Sequence, residues 1–178
     1  MHTWIALALV GSTASANIPE GLTWQKDYNA AKLQAKEAQK PLAVFIGTGT
    51  DGWTTLIREG SSDPTVNRVL MENYVCVYAD RSTPAGQRLA EVFEVANGTG
   101  LVISDKTGSV QAYHHSGLLA RADLTRTLER YADPDRLVYA TETLTEGRYS
   151  TTAAPQQLTP ARYQAPAVVL PYRSIGGG

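Results

Sequence analysis

One segment of the sequence has the glycine spacing of a nucleotide-binding loop. Gly47, Gly49 and Gly52 form a G-x-G-x-x-G pattern after an apolar run of strand length, and Asp80 ends the next such run. In dinucleotide-binding proteins this pattern opens a helix whose N-terminus binds the pyrophosphate, and an acidic residue about 20 positions further on binds the ribose. Asp80 lies 28 positions after Gly52. The sequence therefore favours a flexible loop without a cofactor, with nucleotide binding on the Gly-rich loop 47–52 as the alternative.

The sequence contains a single cysteine, Cys76, so it can form no internal disulfide. Cys76 lies in the apolar run Tyr74–Ala79, which predicts a central strand in which cysteine packs as a small apolar side chain. A reactive thiol needs exposure and a cationic neighbour, and the surrounding sequence offers neither. A redox role for this one thiol remains an alternative to the structural interpretation.

The remaining polar residues do not form the pattern of a catalytic or metal site. His114 and His115 are adjacent on a predicted strand, so their rings point to opposite faces and cannot easily bind one metal ion. The carboxylates are scattered, and no Ser, His and Asp set occurs at a recognisable spacing. We predict no metal and no cofactor. Asn97-Gly98-Thr99 is an N-glycosylation sequence, meaningful only in a host that glycosylates secreted chains.

Length and charge limit the possible partners. The 178 residues are 43% hydrophobic and 19% charged, which is typical of one soluble globular domain. Sixteen basic and seventeen acidic side chains give a formal charge of −1, which provides no general attraction to nucleic acid or to anionic membranes. We therefore predict no nucleic-acid partner. No segment after residue 16 has the length and apolarity of a membrane helix, so we also predict no membrane insertion. The sequence does not predict an oligomeric state.

Residues 1–16 have the pattern of a secretory signal peptide. The apolar run Trp4–Val10 is too short to span a bilayer, and Ala14-Ser15-Ala16 supplies an A-x-A cleavage site. The segment before the run contains His2 but neither Lys nor Arg. We expect cleavage before Asn17 and export to the periplasm or the medium.

Helices and strands alternate after this segment. Periodic apolar positions and capping residues predict helices at about 28–39, 64–72, 84–94 and 121–131, with a further helix after the Gly-rich loop. Continuous apolar runs predict strands at 42–46, 74–79 and 101–103, and the last is followed by a hairpin turn at 105–108 and a strand at 110–113. This order predicts an α/β sandwich with a central mixed sheet of about four to five strands and helices on both faces.

The C-terminal residues 150–178 differ in composition from the predicted domain, residues 17–149. They are rich in Thr, Ala, Pro and Gln and show no helical periodicity, which predicts a disordered tail of low complexity. Val168–Tyr172 is the exception, because it has strand composition. Docking of this run on the domain or on another protein is the alternative to an unstructured end.

Several short motifs support a resemblance to a known family. They are Lys40-Pro41 before the first apolar strand, Ser62-Asp63-Pro64, the strand ending Tyr78-Ala79-Asp80, Gly100–Asp105 with Gly108, and Gly117. In this order they make residues 24–131 similar to the thioredoxin-like domains of periplasmic thiol-disulfide interchange proteins. The resemblance implies a thioredoxin-like sandwich.

The same alignment shows that the family's chemistry is missing. The C-x-x-C motif falls on Thr50-Asp51-Gly52-Trp53, and the position of the family's cis-proline falls on Thr99. Thiol exchange needs a thiolate and a second, resolving thiol, which these residues cannot supply. A cis bond without proline costs about 3–4 kcal/mol, so we expect a trans bond before Thr99. The resemblance therefore implies a protein without dithiol oxidoreductase activity, and we expect no enzymatic activity.

The groove where the active site would lie is the candidate binding surface. Thr50, Asp51, Gly52, Trp53 and Thr99 would form it and would bind an unidentified peptide or protein. An exposed Trp53 would be the anchor of such a site. The alternative is that Trp53 packs beneath its own helix, and the sequence does not decide between the two.

Overall fold

The computed structural model of this chain describes residues 22–95 and 98–153. The predicted signal peptide, Asn97 and residues 154–178 lie outside the described residues. The helices are α1 Tyr28–Ala38, α2 Pro64–Asn73, α3 Pro84–Val92 and α4 Arg121–Tyr131, and a 3-10 helix covers Thr54–Leu56. The strands are β1 Trp24–Gln25, β2 Leu42–Gly47, β3 Val75–Asp80, β4 Gly100–Ser104, β5 Gln111–Ser116, β6 Thr141–Thr145 and β7 Arg148–Ala153.

Side-chain caps start three of the four helices. The Asp27 and Asp63 carboxylates accept hydrogen bonds from Ala30 N and Val66 N, both at 2.8 Å. Thr83 Oγ1 accepts a hydrogen bond from Gly86 N at 3.1 Å. Proline at the first position of α2 and α3 fixes a helical φ where no backbone donor is needed. The structure confirms the helix starts predicted at Asp63 and Thr83.

One sheet contains all seven strands, in the order β1-β3-β2-β4-β5-β6-β7. β2 is parallel to β3 and antiparallel to β4, so the predicted mixed sheet is confirmed. The predicted count of four to five strands is too low. β1 has only two residues, and the strands β6 and β7 are rich in Thr and Ser and lack the apolar runs by which buried strands are recognised.

Helices cover both faces of the sheet, as predicted. On one face Phe45, Leu101 and Ile103 belong to a core closed by residues of α2 and α4. On the other face Val44, Val77 and Val102 pack with residues of α1 and α3. β2 lies between the two cores, and Leu42 to Ile46 are at most 1% exposed, which explains the apolar run without alternation.

The strands β6 and β7 extend the sheet beyond β5. β6 pairs in parallel with β5 through Tyr113 and Glu142, and β7 returns antiparallel to β6. The predicted domain boundary at residue 149 therefore falls inside β7. Within the described part of the chain no helix combines the length and the apolarity that a membrane span requires.

Candidate functional site

Four chain segments meet at one end of the sheet. β2 and β3 are parallel and both end there, which places the Gly-rich loop 47–52 beside Asp80. β4 runs antiparallel to β2 and begins at this end, so Thr99 lies there as well. Gly117 follows β5, and its N–H donates a hydrogen bond to Thr99 O at 2.9 Å.

Two side chains of β3 form hydrogen bonds with the Gly-rich loop. The Tyr78 hydroxyl donates a hydrogen bond to Gly49 O at 2.5 Å, and the Asp80 carboxylate accepts one from Gly49 N at 2.9 Å. A Cβ on Gly52 would lie 2.1 Å from the Tyr78 hydroxyl oxygen, which is closer than real Cβ contacts allow. Glycine at position 52 is therefore explained by the close packing of the loop on Tyr78.

Asp80 acts on the backbone of its own turn. Its carboxylate accepts hydrogen bonds from Ser82 N and Gly49 N, both at 2.9 Å, and these bonds lower the pKa of Asp80 below its ordinary value. One oxygen of the carboxylate that the nucleotide alternative assigns to a ribose, Oδ1, is therefore already bonded to the protein backbone.

The prediction of a helix after the Gly-rich loop is wrong. A 3-10 helix of three residues, Thr54–Leu56, stands in its place. The Thr54 and Thr55 hydroxyls bond back to the carbonyls of Asp51 and Gly52 at 2.8 and 2.5 Å, which favours a tight turn over helix continuation. The nucleotide alternative depends on an α-helix N-terminus at this point, and the structure has none there.

Trp53 belongs to the core, which contradicts its predicted role as an exposed anchor. The indole is 2% exposed. Its ring centroid lies 5.4 Å from that of Trp24 and 6.1 Å from that of Phe45. Gly52 is also buried. The structure therefore agrees with the alternative that Trp53 is buried, although it packs on Trp24 and Phe45 of the sheet and not beneath an α-helix of its own.

Three of the five predicted site residues remain at the surface. Thr50 is exposed, and Asp51 and Thr99 are half-buried. The peptide bond before Thr99 is trans, as expected. Asp51 Oδ1 is shielded from solvent and has no hydrogen-bond partner in the described part of the chain.

Leu118 is a surface residue at this end that the sequence analysis did not identify. Its side chain is 52% exposed. The neighbouring Leu119 forms a parallel bridge with Ile57, through Leu119 N to Leu56 O and Arg58 N to Leu119 O, both at 2.8 Å. The bridge places Leu118 beside the segment that follows the Gly-rich loop. We call Thr50, Asp51, Thr99 and Leu118 the sheet-end surface.

Cys76 lies away from this surface and is chemically protected. It is 3% exposed on β3, and its Sγ lies 3.9 Å from Leu70 O. Burial raises the pKa of the thiol to about 12, against a weaker opposing influence of Lys40. Almost no thiolate is present at neutral pH, which argues against the single-thiol redox alternative. With one cysteine, the chain cannot perform dithiol exchange by itself.

Among the comparisons with known proteins, only the comparison of structures found similar proteins. No protein-family model matches the sequence, and no curated protein is significantly similar to it. A thioredoxin from Thermus thermophilus is similar in structure, with 24% identity and a TM-score of 0.50 over 62% of this chain and 86% of that chain. The C-terminal domain of DsbD from Neisseria meningitidis, in the oxidised form, gives 15% identity and a TM-score of 0.42 over 61% of this chain and 99% of that one. The similarity to the thioredoxin shows that the chain has a thioredoxin-like fold.

Proposed function

We propose that this protein is a non-catalytic thioredoxin-like module that binds an extended peptide or a protein loop at the sheet-end surface. The observation that carries the proposal is the hydrogen-bonded Gly-rich loop 47–52 at the end of the sheet, which contains most of the segment that the sequence motifs align with the family's dithiol. Tyr78 and Asp80 form hydrogen bonds with Gly49 of this loop, and Thr50 within it is exposed to solvent. A backbone held in place before binding loses little conformational entropy when a partner docks.

The chemistry of the surface supports a polypeptide partner. Leu118 offers an exposed apolar side chain, and Thr50 and Thr99 offer hydroxyls that donate and accept hydrogen bonds. The unpaired Asp51 Oδ1 can accept a hydrogen bond after a change of side-chain rotamer. Apolar contacts combined with a few directed polar groups are typical of peptide recognition.

We infer that the protein acts outside the cytoplasm. Support comes from the apolar run Trp4–Val10 and the Ala14-Ser15-Ala16 site that follows it. Mass spectrometry of the protein purified from its native host should find Asn17 at the N-terminus. A mature chain that begins at Met1 would contradict the proposed export.

An affinity comparison tests the binding proposal. The full chain, Thr50→Arg and Leu33→Arg would each be immobilised and incubated with an envelope extract of the native host. Leu33 is a matched control, because it is 64% exposed on α1 and does not belong to the sheet-end surface. We expect one retained protein whose recovery falls at least about tenfold with Thr50→Arg and is unchanged with Leu33→Arg. Equal recovery by all three proteins would contradict the proposal.

A further inference from the structure

The strand β7 presents a long unpaired edge. It is the outermost strand of the sheet, and no described residue pairs with its outer side. It has six residues and no proline, whereas β1 at the opposite edge has only two. Alternate residues of such a strand direct their N–H and C=O groups outward, where they can pair with another strand.

Exposed apolar side chains lie where the chain leaves this strand. Ala153 at the end of β7 pairs with Thr141, so the chain leaves β7 beside the segment that enters β6. Leu137 and Tyr139 on that segment are 70% and 79% exposed. Two large apolar side chains this close in sequence and this exposed indicate a contact with a further segment or a partner.

The sequence after β7 contains a matching segment. Val168-Val169-Leu170 is an apolar run enclosed by Pro166 and Pro171, and β-branched residues favour strands. Residues 154–166 form a connection of 13 residues. Fully extended, such a connection reaches about 43 Å, and six strand residues span about 20 Å. The run can therefore turn back and lie antiparallel to β7 in the same molecule.

We propose that residues 167–170 pair with the outer edge of β7 as an eighth strand of the same molecule. In an antiparallel arrangement the run begins at the end of β7 that lies beside Leu137 and Tyr139, and its first side chains cover them. The short connection keeps the run at a high local concentration, which favours its own domain over a second copy. This inference is independent of the proposed function, because β7 contributes nothing to the sheet-end surface.

Amide hydrogen exchange of the purified full-length protein tests the inference. The wild type would be compared with Val169→Pro, which removes a donor from the added strand, and with Ser174→Pro, which places the same residue type outside the run. Both positions lie outside the described residues, and the two described cores are formed without them. We expect the outward amides of β7 to exchange at least about tenfold faster in Val169→Pro than in the wild type or in Ser174→Pro, at every protein concentration.

Three results would overturn the inference. Equal exchange in all three proteins would show that the run does not cover β7. Equally fast exchange in both proline variants would show that the run is not the responsible segment. Protection of β7 that increases with protein concentration would assign the edge to a second copy.

Discussion

At the scale of single residues, two buried tyrosine hydroxyls of this protein differ in whether they form a hydrogen bond. The Tyr78 hydroxyl donates to Gly49 O at 2.5 Å, whereas the Tyr28 hydroxyl is buried with no hydrogen-bond partner among the described residues. Burial raises the pKa of both to about 12, so both hydroxyls stay protonated at neutral pH. Only Tyr78 uses its hydrogen to hold the Gly-rich loop.

Removing these two hydroxyls should therefore have different effects. Tyr78→Phe should lower the free energy of unfolding by about 1 kcal/mol, since it leaves Gly49 O without its donor. Tyr28→Phe should leave the stability unchanged or raise it, because an unpaired buried hydroxyl is unfavourable. Urea unfolding measures both. An equal loss in the two variants would contradict the assigned role of Tyr78.

Trp53 shows what the sequence cannot reveal at this scale. Its position in place of the second cysteine could be read from the motifs, but its burial could not. The indole packs against Trp24 of β1 and Phe45 of β2, which approach it only when the sheet has folded. The same limit applies to Leu118, which is exposed next to the bridge that Leu119 forms with Ile57.

At the scale of elements, a charged cluster attaches the strands β6 and β7 to α4. Arg130 Nε and Nη2 donate to Glu142 Oε2 at 3.1 and 2.9 Å, and the Tyr131 hydroxyl also donates to this carboxylate. The Arg130 guanidinium lies 4.4 Å from the ring centroid of Tyr149 on β7. Glu142 therefore connects α4 with β6, and Arg130 extends the contact to β7.

Breaking this cluster should destabilise the protein. Glu142→Ala leaves the partly buried Arg130 without its carboxylate, so it should lower the free energy of unfolding by about 2 kcal/mol at neutral pH. Asp135→Ala is the control, because it removes the exposed Lys106–Asp135 pair and should not change the denaturation midpoint measurably. Equal midpoints for Glu142→Ala and the wild type would show that the cluster does not contribute.

The difference in unfolding free energy between wild type and Glu142→Ala should change with pH in a defined direction. Burial raises the pKa of Glu142, but the hydrogen bonds from Tyr131 and Arg130 outweigh it, and the pKa lies below its ordinary value. A lowered folded-state pKa gives stability that is present above the unfolded value, about 4.3, and is lost as the pH falls through the folded value. The difference between wild type and Glu142→Ala should therefore shrink as the pH falls below about 4. A difference that grows in acid would contradict this assignment.

Some elements of this chain could be predicted because their signals are local. Asp63-Pro64 and Thr83-Pro84 combine a cap with a preset φ, and both start helices. The run at 42–46 is apolar throughout because both of its faces are covered. β6 and β7 have no comparable signal, since they are recognisable only through their pairing with β5 and their attachment to α4. The 3-10 helix was missed because hydroxyls bonded to the preceding turn favour it over an α-helix.

At the scale of the whole molecule, the protein has a thioredoxin-like sheet but a single cysteine, so it cannot carry a dithiol. Cys76, the one cysteine, is buried on β3, and Tyr78 and Asp80 hold the Gly-rich loop at the end of the sheet through hydrogen bonds to Gly49. We propose that this end of the sheet serves as a binding surface. The proposed partner should therefore be held by non-covalent contacts alone.

Site-specific photo-crosslinking from position 50 tests this account most directly. A photoreactive amino acid would replace Thr50 in the full chain, once with Cys76 present and once with Cys76→Ser. In a matched control it would replace Leu33, and all variants would be expressed in cells of the native host. The account predicts one dominant adduct from position 50, none from position 33, and no loss of the adduct through Cys76→Ser or added reductant. An adduct that disappears with Cys76→Ser, or equal adducts from both positions, would contradict it.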